Sequence, residues 1–173
     1  GPQQRNLSWL LFGLVYIFVP CLILVWLRDI DGQGRQVVIW LFAIIWATDI
    51  GAYFSGKSIG GPKLAPTISP NKTWAGFFGG LFFAGLMGFI LNSYVEASFD
   101  MLEIFIASVA LSIVGQLGDL LESWVKRTFE VKDSGSLIPG HGGVLDRIDA
   151  ILLAIPVAGI IVLIYDIGEV PWK

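Results

Sequence analysis

Residues 7–27 read LSWLLFGLVYIFVPCLILVWL and contain no charged side chain. An α-helix needs about 20 consecutive apolar residues to cross the ~30 Å hydrocarbon core of a bilayer, so this segment is long enough to span one. Four similar blocks follow, and their lengths favour helices over strands. We predict an all-α fold, a polytopic transmembrane helical bundle with two long loops at about residues 55–73 and 126–143. The five predicted spans cover residues 7–27, 36–54, 74–95, 102–125 and 144–165.

The composition also indicates a membrane protein. Of the 173 residues, 55% are hydrophobic and 14% are charged, whereas soluble domains carry roughly 45–50% apolar and about 25% charged residues. The net charge of −3 gives no indication of a nucleic-acid partner. The single cysteine, Cys21, excludes a disulfide framework and is interpreted as a small buried hydrophobe. Gly1-Pro2 is typical of the scar left by a cleaved tag, and residues 3–173 are expected to form one transmembrane domain.

The distribution of Lys and Arg predicts the orientation of the helices. One set of helix ends and loops holds eight basic residues, and the alternating set holds only Arg28, Arg35 and Lys173. The positive-inside rule assigns the first set to the cytoplasm. The N-terminus and both long loops are then cytoplasmic, and any chemistry is expected on that side. The eight residues are Arg5, Lys57, Lys63, Lys72, Lys126, Arg127, Lys132 and Arg147.

The end of the fourth predicted span carries polar residues at helical spacing. A charged side chain at the centre of a membrane costs roughly 2.5–3.5 kcal/mol, so such residues usually serve a function or pair with one another. The alternative here is a purely structural ion pair of Asp119 or Glu122 with Lys126. Asp49, inside the second span, is a further acid that needs a partner. Four residues share one face of the fourth helix: Gln116, Asp119, Ser123 and Lys126.

The fifth predicted span begins with two more acids, Asp146 and Asp149, which are expected to point the same way from one helix. The structural alternative is that the helix macrodipole stabilises acids in a first turn by about 0.3–1 kcal/mol each. Near Asp119 on the neighbouring helix, these two acids would repel unless a cation lay between them. Carboxylate oxygens suit a hard cation such as Mg²⁺, which is usually held by one or two carboxylates plus substrate phosphates.

Two polar segments are candidates for contact with phosphates. Residues 132–143 read KDSGSLIPGHGG, and glycines allow backbone amides to approach an anion closely. This segment lies beside Arg147 and holds the only histidine, His141, a candidate phosphate contact or general acid–base group. One alternative is that residues 132–143 are only a flexible loop. The other is that the second segment, residues 55–73, only sets the topology of the helices. The second segment carries three lysines: Lys57, Lys63 and Lys72.

Taken together, these motifs form a recognisable pattern. Ser123 is followed by Lys126-Arg127, by Lys132-Asp133 and by IPGHGGVLDRID at 138–149. Upstream lie DIGAYFSGK at 49–57 and SPNKT at 69–73. The pattern closely resembles the signature of the phosphatidate cytidylyltransferases, the CDP-diacylglycerol synthases, and it covers residues 46–157. Ala75 departs from it, since many members carry an acid or an amide at that position.

The resemblance implies an Mg²⁺-dependent membrane enzyme that transfers CMP from CTP to phosphatidic acid and releases pyrophosphate. Members are longer, so we expect this chain to be the C-terminal catalytic portion, in a bacterial inner (cell) membrane with its site facing the cytoplasm. The resemblance implies metal binding by Asp119, Asp146 and Asp149, and catalytic roles for these three and for Lys126 and Arg127. It implies substrate binding by Lys57, Lys63, Ser69, Lys72, Thr73, Ser123, Lys132, Asp133, His141 and Arg147.

Two other functions remain open at this stage. A CTP-dependent kinase of polyprenol or another lipid alcohol would release CDP instead of pyrophosphate. An ion or proton transporter is the second, because intramembrane acids also mark transport paths, although acids clustered toward one face argue against it. The residues leave open whether one or two metal ions bind, whether a monovalent cation assists, and whether the apolar outer faces support a homodimer.

Overall fold

The computed structural model describes residues 7–92, 100–131, 134, 143 and 145–165. The described residues form five α-helices, which confirms the predicted helical bundle. Four of these helices are long and apolar enough to cross a membrane, whereas the fifth has 16 residues. The helices are α1 Leu7–Arg28, α2 Gly34–Ser58, α3 Trp74–Leu91, α4 Met101–Thr128 and α5 Asp149–Ile164.

The helix ends differ from the prediction near the polar residues. Helix α2 continues to Ser58 and α4 to Thr128, each beyond its predicted end. The fifth helix begins only at Asp149, because Leu145–Arg147 form a separate 3₁₀ turn. The prediction that Asp146 and Asp149 point the same way from one helix is therefore wrong, since they belong to two different elements.

A short β-hairpin, which the sequence did not predict, lies between α2 and α3. Its strands, β1 Lys63–Ala65 and β2 Ser69–Thr73, pair antiparallel with an irregularity in their register. Thr73 ends the hairpin and caps the next helix, because its side-chain oxygen accepts a hydrogen bond from the Gly76 amide at 3.1 Å. The hairpin thereby carries Lys72 against α4.

The core lies around α2, which packs on all four other helices. Two buried polar contacts join α2 to α4. Trp40 Nε1 donates to Ser108 Oγ at 3.2 Å, and the Thr48 and Ser112 hydroxyl oxygens lie 2.9 Å apart. Buried polar groups are normally satisfied in this way. The apolar core includes Leu41, Ile44, Ile104, Leu111 and Ala154.

A glycine allows α4 and α5 to approach closely at the polar end of the bundle. A Cβ on Gly118 would lie 2.8 Å from the Asp149 carbonyl oxygen and 3.1 Å from Leu153 Cβ. Small residues at membrane helix interfaces permit such close backbone packing. The contact brings the start of α5 beside Asp119.

Helix α1 covers one side of the bundle and presents most of its large apolar side chains outward. A membrane would cover these side chains with lipid. The helix runs through Pro20 without ending, as predicted, but Cys21 is exposed and not buried. The inner side of α1 contacts the polar end, where the Tyr16 hydroxyl donates to the Asp149 carbonyl oxygen at 3.4 Å.

Candidate functional site

Acids and lysines from several elements meet at one end of the bundle. Because successive helices run in opposite directions, the C-terminal ends of α2 and α4 lie at the same end as the N-terminal end of α5. The hairpin and the 3₁₀ turn are also at this end. The polar residues that the sequence distributes over 100 positions are thus collected into a small region, with apolar helix surface below it.

The first cluster surrounds a cavity of about 290 Å³ between α2, the hairpin and α4. Lys72 Nζ lies 2.5 Å from Asp119 Oδ2, and the two side chains are 25% and 37% exposed. Asp49 faces the same cavity and interacts electrostatically with both. Residues that line the cavity include Asp49, Tyr53, Asn71, Lys72, Gln116 and Asp119.

The second cluster is centred on Asp146 in the 3₁₀ turn. Its carboxylate lies 2.7 Å from Lys126 Nζ and accepts hydrogen bonds from the backbone amides of Ser134 at 3.0 Å and Gly143 at 2.9 Å. Burial alone would raise the pKa of this carboxyl, but the hydrogen bonds from Lys126 and the two amides prevail and hold the pKa well below its ordinary value. Asp146 is therefore a firmly ionised anchor between α4 and the segment that precedes α5.

Glu122 and Asp149 connect the two clusters. The Glu122 side chain is only 4% exposed, and Oε2 lies 2.9 Å from Lys126 Nζ. Glu122 and Asp149 are neighbours, and Asp149 also senses the charge of Asp119. Four carboxylates and two lysines thus interact at the junction of α4 with α5 and the hairpin.

Two further predicted site residues lie beside these clusters. Ser123 Oγ is 3.5 Å from Asp119 Oδ1, so these two residues of the predicted polar face of α4 do lie together. Arg127 is directed to the hairpin, where its Nε donates to the Ile68 carbonyl oxygen at 3.4 Å. In this arrangement Arg127 ties the end of α4 to the hairpin turn.

The remaining predicted residues of the first loop have local roles in the structure. Lys57 Nζ lies 3.2 Å from the Tyr53 hydroxyl and 5.4 Å from the centre of its ring. Thr73 is buried as the cap of α3, while Lys63 and Ser69 belong to the two strands of the hairpin. Their roles in substrate binding stay predictions.

Part of the predicted site lies outside the described residues. This applies to Lys132, Asp133 and His141, and for Arg147 only the backbone, in the 3₁₀ turn, is described.

Sequence reasoning assigned no site role to several residues that the structure brings to this end. It marked Asp49 as an intramembrane acid and Gln116 as part of the polar face, and it treated Glu122 only as a structural partner of Lys126. The cost of placing polar groups in an apolar helix was the available signal for all three. Asn71, which borders the cavity, lies within the SPNKT segment at 69–73, but no site role was assigned to it.

The donor atoms at this end suit a hard divalent cation. Asp49, Asp119, Asn71 and Gln116 line one cavity, and each carries a side-chain oxygen of the kind that such a cation prefers. Among the described residues, no group of three or more His, Cys, Asp or Glu side chains is arranged as a metal site. Instead, the ammonium groups of Lys72 and Lys126 lie against the acids. The chemistry of the donors therefore fits Mg²⁺, while the present geometry is organised around lysine.

Comparison with known proteins places this chain in a family. A model of the cytidylyltransferase family matches residues 2–165. A phosphatidate cytidylyltransferase of Brucella suis is 49% identical over 147 residues, covering 85% of this chain and 54% of the relative. Proteins with the same name from Rickettsia bellii and Bacillus subtilis are 42% and 40% identical, covering 69% and 56% of their own lengths. The chain thus spans little more than half the length of several relatives. It belongs to the cytidylyltransferase family.

Proposed function

We propose that this chain carries the catalytic site of a phosphatidate cytidylyltransferase, which transfers CMP from CTP to phosphatidic acid and releases pyrophosphate. The names of the relatives supply the substrates. The observation that carries the proposal is the cavity between α2, the hairpin and α4, where Lys72 of the hairpin meets Asp119 in the C-terminal half of the membrane-length helix α4. A lipid phosphate reaches such a position while its acyl chains stay in the bilayer.

The reaction needs little proton transfer. A non-bridging oxygen of the phosphatidate phosphate attacks the α-phosphorus of CTP in line, and the bond from that phosphorus to the oxygen bridging to the β-phosphate breaks. The attacking phosphate is already ionised, so no strong general base is required. Lys72, Lys126 and Arg127 neutralise phosphate charge and orient the two substrates. Lys57, Lys63, Ser69, Thr73, Ser123, Lys132, Asp133, His141 and Arg147 are proposed to complete the substrate contacts.

Mg²⁺ is part of this proposal, and Asp119, Asp146 and Asp149 would hold it. When bound, the cation supplies positive charge that polarises the phosphates and stabilises the leaving pyrophosphate. The lysines already pair with Asp119 and Asp146. Exchange of the Lys72 ammonium from Asp119 to a phosphate would free carboxylate oxygens for the metal ion and bring a positive charge to the nucleotide, while the contact of Lys126 with Asp146 stays in place.

The cellular setting follows from the same reasoning. We place the site at the cytoplasmic face of a bacterial inner membrane, because the positive-inside rule assigns this end of the helices to the cytoplasm. A homodimer and an assisting monovalent cation stay predictions. A transporter is disfavoured, since Asp49, Asp119, Glu122 and Asp149 gather at one end of the bundle.

One experiment separates cytidylyl transfer from the kinase alternative. Parallel incubations offer the purified chain either phosphatidic acid or a lipid alcohol such as polyprenol, with CTP labelled at the α- or the γ-phosphate and with Mg²⁺ or a chelator. The lipids are then separated by chromatography. We expect label from the α-phosphate to appear in the lipid product. This labelled product should not form when the chelator is present. Label from the γ-position in the lipid, with an alcohol such as polyprenol as acceptor, would contradict the proposal and favour a kinase.

A further inference from the structure

Glu122 is a buried acid with mainly apolar surroundings. It is 4% exposed and borders a cavity of about 150 Å³ whose other lining residues include Trp9, Phe12 and Leu121. Removing a carboxylate from water is costly unless a partner compensates for the lost solvation. Among the described residues, its ion-pair partner is Lys126, one helical turn further along α4. The carboxylate is thus held in an environment that favours a single pairing.

Lys126 is shared between two acids on different elements. Its Nζ lies 2.9 Å from Glu122 Oε2 on the same helix and 2.7 Å from Asp146 Oδ1 in the 3₁₀ turn. A lysine ammonium on its flexible stem has many accessible positions. Contact with a buried carboxylate one turn away limits those positions and directs the ammonium toward the start of α5.

Asp146 extends this contact to two points of the chain that precedes α5, one at Ser134 and one at Gly143. The backbone amides of Ser134 and Gly143 donate to the carboxylate that Lys126 holds. Glu122 also neighbours Asp149, the first residue of α5. A single side chain on α4 therefore interacts electrostatically with Asp149 and reaches Asp146 through Lys126.

We propose that Glu122 is a positioning residue: it fixes the Lys126 ammonium against Asp146 and thereby sets where the acids at the start of α5 lie relative to Asp119. The effect of Glu122 on turnover rests on the proposed function. Its effect on the hydrogen bonds that the Ser134 and Gly143 amides donate does not depend on that function. Glu122 itself makes no contact with substrate in this proposal.

The competing interpretation is that Glu122 and Lys126 only stabilise α4. The two interpretations differ in where a Glu122→Gln variant is disturbed. Loss of helix stability would affect α4 as a whole. Loss of positioning would weaken the hydrogen bonds to Asp146 first, because the ammonium would no longer be fixed between the two carboxylates.

Amide hydrogen exchange of the detergent-solubilised chain, followed by mass spectrometry, tests this without any turnover. Glu122→Gln should speed exchange at Ser134 and Gly143 by about tenfold, while exchange in the middle of α4 stays within about twofold of wild type. Asp146→Asn serves as the positive control, because it removes the negative charge and one of the two oxygens that accept from these amides. Glu103→Gln is the matched control on the same helix, where the side chain accepts a hydrogen bond from the Asp100 amide at 2.9 Å. Unchanged exchange at both amides in Glu122→Gln, with faster exchange in Asp146→Asn, would overturn the proposal.

Turnover supplies the second measurement. Glu122→Gln should lower kcat by about 30-fold and change KM for CTP less than about threefold, because misplaced acids affect the transition state more than nucleotide binding. Glu103→Gln should retain wild-type values. An inactive wild-type chain would contradict the proposed function and leave the exchange result as the test of Glu122. Normal kcat in a Glu122→Gln chain would overturn the positioning role while the proposed function stands.

Discussion

The two lysine–aspartate contacts at the polar end of the bundle differ in their surroundings. The pair of Lys72 with Asp119 joins the hairpin to α4 beside a cavity, and its side chains are 25% and 37% exposed. Lys126 and Asp146 are 18% and 14% exposed, and the buried Glu122 and two backbone amides complete their contacts. The first pair is the more exposed of the two and lies beside a cavity, whereas the second belongs to a network that includes a buried acid.

This difference indicates that the two ion pairs have different roles. Exposed ion pairs contribute about 0–1 kcal/mol to stability, so Lys72 leaves Asp119 at little cost when a phosphate or a cation arrives. Breaking a buried pair leaves an uncompensated charge and costs about 3–5 kcal/mol. We infer that the first contact exchanges during the reaction, while the second maintains the geometry in which exchange occurs.

The largest expected effect is the loss of turnover when Asp119 of the more exposed pair, Lys72 with Asp119, is replaced. Asp119→Ala should lower kcat by about 10³-fold, because a carboxylate that holds the cation at the transferring phosphate acts mainly in the transition state. Its unfolding midpoint in detergent should stay near that of wild type. Asp29→Ala, at the opposite end of the bundle, is the control. Near-normal turnover of Asp119→Ala would show that the assigned metal role is wrong.

The next largest effect is on stability at the buried network. Lys126→Met should lower the free energy of unfolding by about 3 kcal/mol, since Glu122 and Asp146 lose the cation between them. Denaturant titration in detergent micelles measures this change. Adding Glu122→Gln to Lys126→Met should recover part of the loss, because the buried charge is then removed as well. A double variant no more stable than Lys126→Met would contradict the network.

A smaller effect is expected on the stability of the protein at acidic pH. Because the pKa of Asp146 is lowered in the folded chain, its contribution to stability is complete above the ordinary carboxyl pKa of about 3.9 and is lost as the pH falls through the lower folded value. Asp146→Asn should therefore flatten the decline in unfolding free energy below about pH 4. The measurement is a series of denaturant titrations against pH. An Asp146→Asn profile parallel to that of wild type would contradict the strong hydrogen bonding of this carboxylate.

The smallest effect is on stability at the exposed pair. Lys72→Ala should change the free energy of unfolding by less than about 1 kcal/mol, and added salt should reduce the difference further. Denaturant titration at low and high ionic strength measures it. A loss as large as that of Lys126→Met would mean that both contacts are structural, and the proposed division of tasks would fail.

The helices were predictable because their signal is local. A block of about 20 apolar residues indicates a membrane helix whatever it packs against, and all five blocks are helical in the structure. The hairpin was missed because strands of three and five residues are too short for an alternating pattern to appear. The placement of Asp146 failed for a different reason. Its carboxylate takes donors from Lys126, Ser134 and Gly143, and the local sequence does not show that Lys126 and Ser134, 20 and 12 residues away, reach it.

The sequence by itself determined the number of helices and the acids and lysines that an apolar bundle must accommodate. Chain length per crossing and the cost of polar groups in hydrocarbon are properties of the residues alone. Only the tertiary structure decided that Lys72 pairs with Asp119 while Lys126 pairs with Glu122 and Asp146. Ion pairing depends on distances between elements, and close packing such as that at Gly118 sets those distances.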